Sequence, residues 1–366
     1  MGGYIRIMGK IQLDHTGSGG GITLSSDGTN LLLDGTAVGG SALELYAENP
    51  DSPTAPSATG TNAVAIGDGA QAGNFDETLA IGTSSFANNI QTQSVGYDTT
   101  ASGNRSSAFG RGATASGDYS TSIGYVPTAS GSSSIALGRS AKAVGSYSTA
   151  LTNSYASGAD SFAAAITNNT SSYGATGANS VAIGKQAKAT GQYNIVLATE
   201  GFATGTYSTI IGGKAGSDNG VWGKFVFPAS FLNGGQQGLF VLREATTDAT
   251  ASTLRTNGFS AGTTNQIILP NNSAYAFHGT IVARQQASQG TDCAAWKIEG
   301  LIRREGSAGT TVLVNSATTV LDNTPSWGMT LSADTTNGGL AITVTGAAAT
   351  NIRWVATVHT SEVTYA

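Results

Sequence analysis

The residues able to do chemistry are few and scattered. Asp76 and Glu77 form an adjacent pair of acids, and paired carboxylates are what glycan cleavage requires. They lie in a glycine-marked turn, so a solvated turn is the plainer reading. Asp248, Asp292, Glu299, Glu305, Asp322 and Asp334 are spread through the C-terminal part without clustering. The three histidines, His15, His278 and His359, lack neighbours at metal-ligand spacing. His278 and His359 occupy the face opposite their strands' aromatics. That places them at a surface or on a threefold axis, where three copies of one histidine would face a metal. The run Gly17-Ser18-Gly19-Gly20-Gly21 lacks the Lys-Ser/Thr ending and following helix of a phosphate loop. Arg303 and Arg304, with Lys297 and Arg284, are candidates to meet an anionic lipopolysaccharide or capsule, a solvated strand edge being the alternative. Trp327, in Pro325-Ser326-Trp327-Gly328, has the ring to stack on a sugar, or packs in a core or interface. These residues predict binding rather than bond breaking. The candidate binding residues are Trp327, Arg303, Arg304 and His278; no catalytic residue, metal or cofactor is expected.

Composition narrows the function classes. The chain has 366 residues, 51 glycines, 11% charged residues and a net charge of −5. Such a charge offers no footprint for nucleic acid. The single cysteine, Cys293, excludes an internal disulfide framework, and a small buried hydrophobe is its expected role. No apolar run reaches the length of a membrane helix. Met1 to Lys10 shows no apolar stretch of the secretory kind, so synthesis in a cytoplasm and placement by assembly are expected.

The elements that must position these residues follow from a repeat. Asn62-Ala63-Val64-Ala65-Ile66-Gly67, Ser134-Ile135-Ala136-Leu137-Gly138 and Asn179-Ser180-Val181-Ala182-Ile183-Gly184 share the frame Ser-φ-Ala-φ-Gly, φ being aliphatic. Its last position recurs at Gly67, Gly82, Gly96, Gly110, Gly124, Gly138, Thr152, Gly184, Ala198 and Gly212, mostly in steps of 14 residues. From Thr152 to Gly184 the step is 32, or two units and four further residues. A second phase, Ala-x-Ala-x-Gly, lies between, as in Ala113-Thr114-Ala115-Ser116-Gly117 and Ala187-Lys188-Ala189-Thr190-Gly191. An insertion near 167–172 is expected to bulge as a loop. Alternation marks strands and glycine suits the corners. Each unit therefore predicts a coil of two strands, each of about five residues, and about eleven coils stacked at ~4.8 Å make a rod of roughly 50 Å. The aliphatics Val64, Ile66, Ile123, Leu137, Val181 and Ile183 are expected inside, facing alanines. So thin a rod buries too little alone, and partner chains covering one outer face are expected, most simply in a homotrimer.

This frame resembles the YadA-like head repeat of trimeric autotransporter adhesins over about residues 60–213. The resemblance implies a left-handed parallel β-roll assembled as a trimer that binds host surfaces. The ends depart from that family: no leader, heptad stalk or membrane anchor is visible in the sequence. The combination resembles a bacteriophage tail fibre. It implies self-association as a homotrimer, attachment to a virion tail or baseplate protein through the N-terminal region, a host-surface glycan or protein as receptor, and localisation in the virion. Alternatives are the passenger of a trimeric bacterial adhesin, a capsid-attached fibre, and a tailspike-like glycan depolymerase.

The expected architecture is all-β. Residues 1–48 form a short-strand attachment region, with strands at Tyr4–Ile7, Lys10–Leu13, Gly21–Leu24 and Asn30–Leu33. Residues 49–60 are a Pro/Ser/Thr linker and 61–215 the roll. Residues 216–366 hold all four tryptophans and alternating aromatic runs, predicting an antiparallel β-sandwich or jelly-roll tip.

Overall fold

The computed structural model describes the backbone of 11–13, 22–26, 31–33 and 36–38, then residues 54–167, 170–229 and 235–365. Two units are present, one spanning Met1–Thr54 and the other Ala55–Ala366. In the first, Ile11–Leu13, Ile22–Ser26, Leu31–Leu33 and Thr36–Val38 form an antiparallel sheet in chain order. Three of these match strands expected from sequence. Thr36–Val38 was not foreseen, and Tyr4–Ile7 lies outside the described residues.

The second unit opens with a solenoid. One of its sheets is built from the strands of the Ser-φ-Ala-φ-Gly frame, from Val64–Ile66 to Thr209–Lys214. The other has 11 strands, from Ser57–Ala58 to Phe202–Ala203. Ser57–Ala58 thus belongs to the roll, inside the stretch expected to be linker. Every rung pairs in parallel with the next, Val95 with Phe109 and Phe109 with Ile123, for example. Most strands are shorter than expected, with three to six residues on one side and two on the other. The long step resolves into two unequal turns. Thr149 pairs with Phe162, 13 residues on, and Phe162 with Val181, 19 residues on. One turn is a residue short and the next five long, the excess falling between Ile166 and Gly174.

The interior corrects one expectation. The aliphatics of the repeat point outward, and the alanine between them points in. Ala80, Ala108, Ala136, Ala150, Ala163 and Ala182 are fully buried, facing Ala87, Ala101, Ala115, Ala129, Ala143 and Ala156, equally buried. Val64 and Ile123 are each 43% exposed. Two strands joined by corners of mostly two to five residues stand too close for facing leucines, so a larger inward side chain would overpack the coil. Where the inward residue is serine, its hydroxyl is held across the corner: Ser94 Oγ donates to Thr99 O at 2.9 Å and Ser122 Oγ to Pro127 O at 3.1 Å. Near the tip the inward residues grow to Val196, Ile210 and Val226, all fully buried. Gly201 and Gly216 compensate by standing where earlier turns carry Ala113, Ala141 and Ala187. A Cβ at Gly201 would lie 2.9 Å from Val196 Cγ1, and one at Gly216 3.1 Å from Ile210 Cγ2.

The closing glycines Gly67, Gly82, Gly96, Gly110, Gly124, Gly138, Gly184 and Gly212 all have positive φ, between 83° and 138°. A Cβ on Gly110 would also fall on the carbonyl oxygen of Gly124 in the next turn. Gly117 has no positive φ and is needed only for closeness, since its Cβ would strike Gly131 O. At the corner after the Ala-x-Ala strand the left-handed residue is not glycine. It is Arg105, Tyr119, Ser133 or Tyr147 in successive turns, at φ between 55° and 58°.

The tip grows out of the roll without a break. Its strands are β1 (Phe225–Pro228), β2 (Gly235–Thr246), β3 (Ala251–Thr253), β4 (Ile267–Ile268), β5 (Ser273–Gln285), β6 (Cys293–Arg304), β7 (Val312–Asp322), β8 (Gly328–Asp334), β9 (Gly339–Thr345) and β10 (Ile352–Thr364). β1 adds in parallel to the last frame strand of the roll, and β2 adds antiparallel to β1. The sheet continues as β2-β10-β5-β6-β7. A second sheet centres on β9, with β3 and β4 on one edge and β8 on the other. The inner faces meet over one core containing Phe240, Tyr275, Trp296, Trp327, Ile342 and Trp354. This is a two-layer sandwich. Cys293 is exposed, against expectation: it opens β6 in register with Arg284 on the outer face.

Gly110→Ala sets an unfavourable φ and a collision with Gly124 O against no gain in packing. It should lower stability by more than about 2 kcal/mol, read as a fall in the chemical denaturation midpoint. Unchanged stability would show that the turns are not held at this spacing.

Candidate functional site

Two surfaces stand out, one on the roll and one on the tip. On the roll, the last φ position of the repeat forms an outward column: Ile66, Ile81, Val95, Phe109, Ile123, Leu137, Leu151, Ala164, Ile183, Leu197 and Ile211. Neighbours in this column pair rung to rung, as in Ile66–Ile81, Ile123–Leu137 and Leu197–Ile211. Each is half-buried or exposed, Ile123 at 43% and Leu197 at 39%. Past the apolar column, at the end of the same strands, polar rungs interlock. The Arg111 guanidinium lies between the rings of Tyr97 and Tyr125, at 5.6 and 5.4 Å. At the other corner Glu77, Gln91, Arg105 and Tyr119 form a chain of hydrogen bonds of 2.6 to 2.7 Å.

The tip separates the binding residues expected from sequence. Trp327 is 5% exposed and packs on Trp354 at 5.8 Å. Asn323 holds it there by bonds to its backbone N–H and carbonyl. Its ring belongs to the core and offers no face to a sugar. Arg303 and Arg304 alternate across β6. Arg303 is exposed and pairs with Glu305 at 3.1 Å. Arg304 turns to the inner side, where its Nη1 donates to Leu269 O at 2.7 Å. Both border a depression of about 510 Å³ with Glu305 and Tyr365. His278 is exposed, stacked on His359 at 5.2 Å with ring planes 9° apart. Register places them opposite each other, with Glu299 next in line on β6. Thr280, Lys297 and Thr357 complete this polar depression of about 540 Å³. Among the described residues, no group of three or more His, Cys, Asp or Glu is arranged to hold a metal ion.

Sequence reading missed the junction of roll and tip. Lys224, just before β1, and Glu362, in β10, are both buried, and their Nζ and Oε2 lie 2.7 Å apart. Gln236 Nε2 donates to the same carboxylate oxygen at 2.6 Å and to Ser217 O at 2.8 Å. Thr360 Oγ1 donates to the other oxygen at 2.6 Å. The ammonium also lies over the rings of Phe240 and Tyr275. Burial, and then the Glu362 charge, push the Tyr275 hydroxyl well above its ordinary 10. Lys224 and Glu362 lie 138 residues apart, and no local motif in the sequence joins them.

The YadA head domain repeat model matches residues 58–85, 101–125, 129–151 and 175–193. These four stretches, all within the roll, are similar to that repeat. No curated protein matches the chain. Among solved structures, the tailspike protein of Acinetobacter baumannii phage AM24 aligns at 10% identity with a TM-score of 0.20. The alignment covers 82% of this chain and 57% of the tailspike.

Two measurements test the junction. Lys224→Met leaves Glu362 buried without its cation and should cost about 3–5 kcal/mol, while Lys224→Met with Glu362→Leu should recover most of it. A single variant as stable as the parent would remove the pair from the stabilising contacts. Tyr275 favours the neutral phenol when folded. Its contribution is present below pH 10 and lost as pH rises through its raised value, so absorbance at alkaline pH should show one tyrosine ionising only with unfolding.

Proposed function

We propose that this protein is a non-catalytic adhesive fibre that assembles as a homotrimer through the apolar column of its roll. The observation that carries the reading is the column itself. A thin solenoid with alanine inside and a continuous aliphatic stripe outside has its hydrophobic driving force on the wrong side for a monomer. Exposed apolar patches of this extent mark interaction surfaces, and a surface that repeats rung by rung suits a second copy in the same register. Closed cyclic symmetry then uses one stripe on each of three chains. The YadA-type repeats support the same assembly.

Within this reading the tip is the recognition domain and the N-terminal region the point of attachment. The carrier is a virion, as a phage tail fibre, and the receptor a bacterial surface glycan or protein. The support is the resemblance of a roll flanked by two further β regions to phage fibres. Three identical tips on a stiff shaft would convert weak contacts into avidity, which needs rigidity and copy number rather than bond chemistry.

The test is mass in solution. A particle of three chains, each of 36.6 kDa, is expected for the native protein. Leu137→Asp with Ile183→Asp should dissociate or aggregate it and lower binding to susceptible cells by about 100-fold or more. A native monomer would end the trimeric reading, and a trimer that binds no bacterial surface would end the adhesive one.

A further inference from the structure

The tip carries an arginine cluster that no other part of the molecule uses. β1 pairs with β2 only along Gln236–Leu239, so the second half of β2 extends past the roll. Arg243 lies on that half, opposite Val355. One row further on, Arg353 of β10 faces Ala245 on one side and Arg284 of β5 on the other. Like charges directly opposite on neighbouring strands are unfavourable. Arg255 joins from the loop after β3 through two backbone bonds with Arg243, at 2.7 and 3.1 Å. Four of the 17 basic residues of a chain with net charge −5 thus gather at one end of one sheet.

Their partners do not balance them. Glu244 pairs with Arg255. Arg284 Nη1 donates to the carbonyl of Asp292 at 3.1 Å. The described structure gives the side chains of Arg243 and Arg353 no hydrogen bond or ion pair. The Nε of Arg255 is buried without an acceptor, a donor that costs free energy until something accepts from it. Burial, and then the Arg243 charge, lower the proton affinity of the Arg255 guanidinium. Two depressions border the cluster, of about 490 and 550 Å³, and share Ala245 and Arg353. Their walls add the amide side chains of Asn257, Gln285, Gln286 and Asn351.

We propose that Arg243, Arg255, Arg284 and Arg353 form a binding site for an acidic polysaccharide, taking its repeated oxyanion groups while the amide side chains meet its hydroxyls. Guanidinium forks match carboxylate and phosphate oxygens. The two adjoining depressions suit a chain that presents one acidic group to each. The proposal rests on the adhesive reading for its biological setting, but the site can be tested without it.

Full-length protein would be titrated with polygalacturonate, a phosphomannan and neutral dextran, at low salt and at about 0.5 M salt. Binding to at least one acidic polymer and not to dextran is expected, weakening at high salt. Arg243→Gln and Arg353→Gln should each lower affinity about tenfold, while Arg139→Gln, at an exposed position of the roll, should not change it. Preference for polygalacturonate would assign uronate carboxylates and preference for phosphomannan would assign phosphates; either supports the site. Equal binding by native protein and the Arg243→Gln/Arg353→Gln double variant, equal binding to dextran, or no binding to either acidic polymer would overturn it. Cell adhesion measured alongside separates the two ideas. A native protein that binds the polymer but no cells keeps the site and loses the adhesive role.

Discussion

The width of one solenoid turn is the constraint on which the rest depends. Backbone pairing along the axis sets the rise per turn near 4.8 Å, and the short corners bring the two sheets together until alanine fills the space between them. Ala108 and Ala115, both fully buried, show the consequence within one turn. A longer inward side chain needs a deletion opposite, which is what Gly201 and Gly216 provide for Val196 and Ile210. The same closeness excludes a Cβ at Gly110 and Gly117. The register of Phe162 with Val181 is kept across a turn five residues longer than the repeat.

An interior of alanine stabilises little. Each methyl buries far less apolar surface than a leucine would, while each residue still loses its backbone freedom. The sequence places its large aliphatics outside instead, which leaves much of the roll's apolar surface uncovered in a single chain. The other requirement of a solenoid is a capped end, because the last rung otherwise exposes a free sheet edge. Here the cap is the tip. β1 still runs parallel to the roll and β2 reverses, so one sheet passes from parallel to antiparallel without an unpaired strand between. The buried Lys224–Glu362 pair stands at that reversal. A buried pair is weak evidence for stability, but its bonds from Gln236 and Thr360 fix one register for the junction.

The repeat, its period and the all-β class were legible because glycine and alternation recur at fixed spacing. Which face pointed inward was not. In Ser-φ-Ala-φ-Gly either the alanine or the aliphatics can face the core, and alternation alone reads the same both ways; coil width decides, and width is a property of the folded corner. Where the tip's candidate residues face was hidden for a related reason. Trp327 follows Pro325 and Ser326 and looks like a turn residue, yet Ser326 takes a positive φ of 61° and turns the indole into the core. Arg303 and Arg304 look like a patch, yet adjacent strand residues face opposite sides. The cluster of Arg243, Arg255, Arg284 and Arg353 was illegible because its members are distant in sequence and meet only through strand register.

A fibre of this design separates its two tasks in chemistry as well as in space. The roll needs apolar side chains outside and small ones inside, which leaves few positions for recognition. Its exposed polar rungs, such as Tyr97 and Tyr125 about Arg111, are already engaged with one another. The tip has a large core of its own, so its outer face is free to vary without loss of fold. Unpaired guanidiniums can therefore persist on Arg243 and Arg353 at modest cost. The same arginines placed along the apolar column would interrupt its continuous apolar surface. Outward charge is tolerated more readily in the tip, whose core lies between its own two sheets.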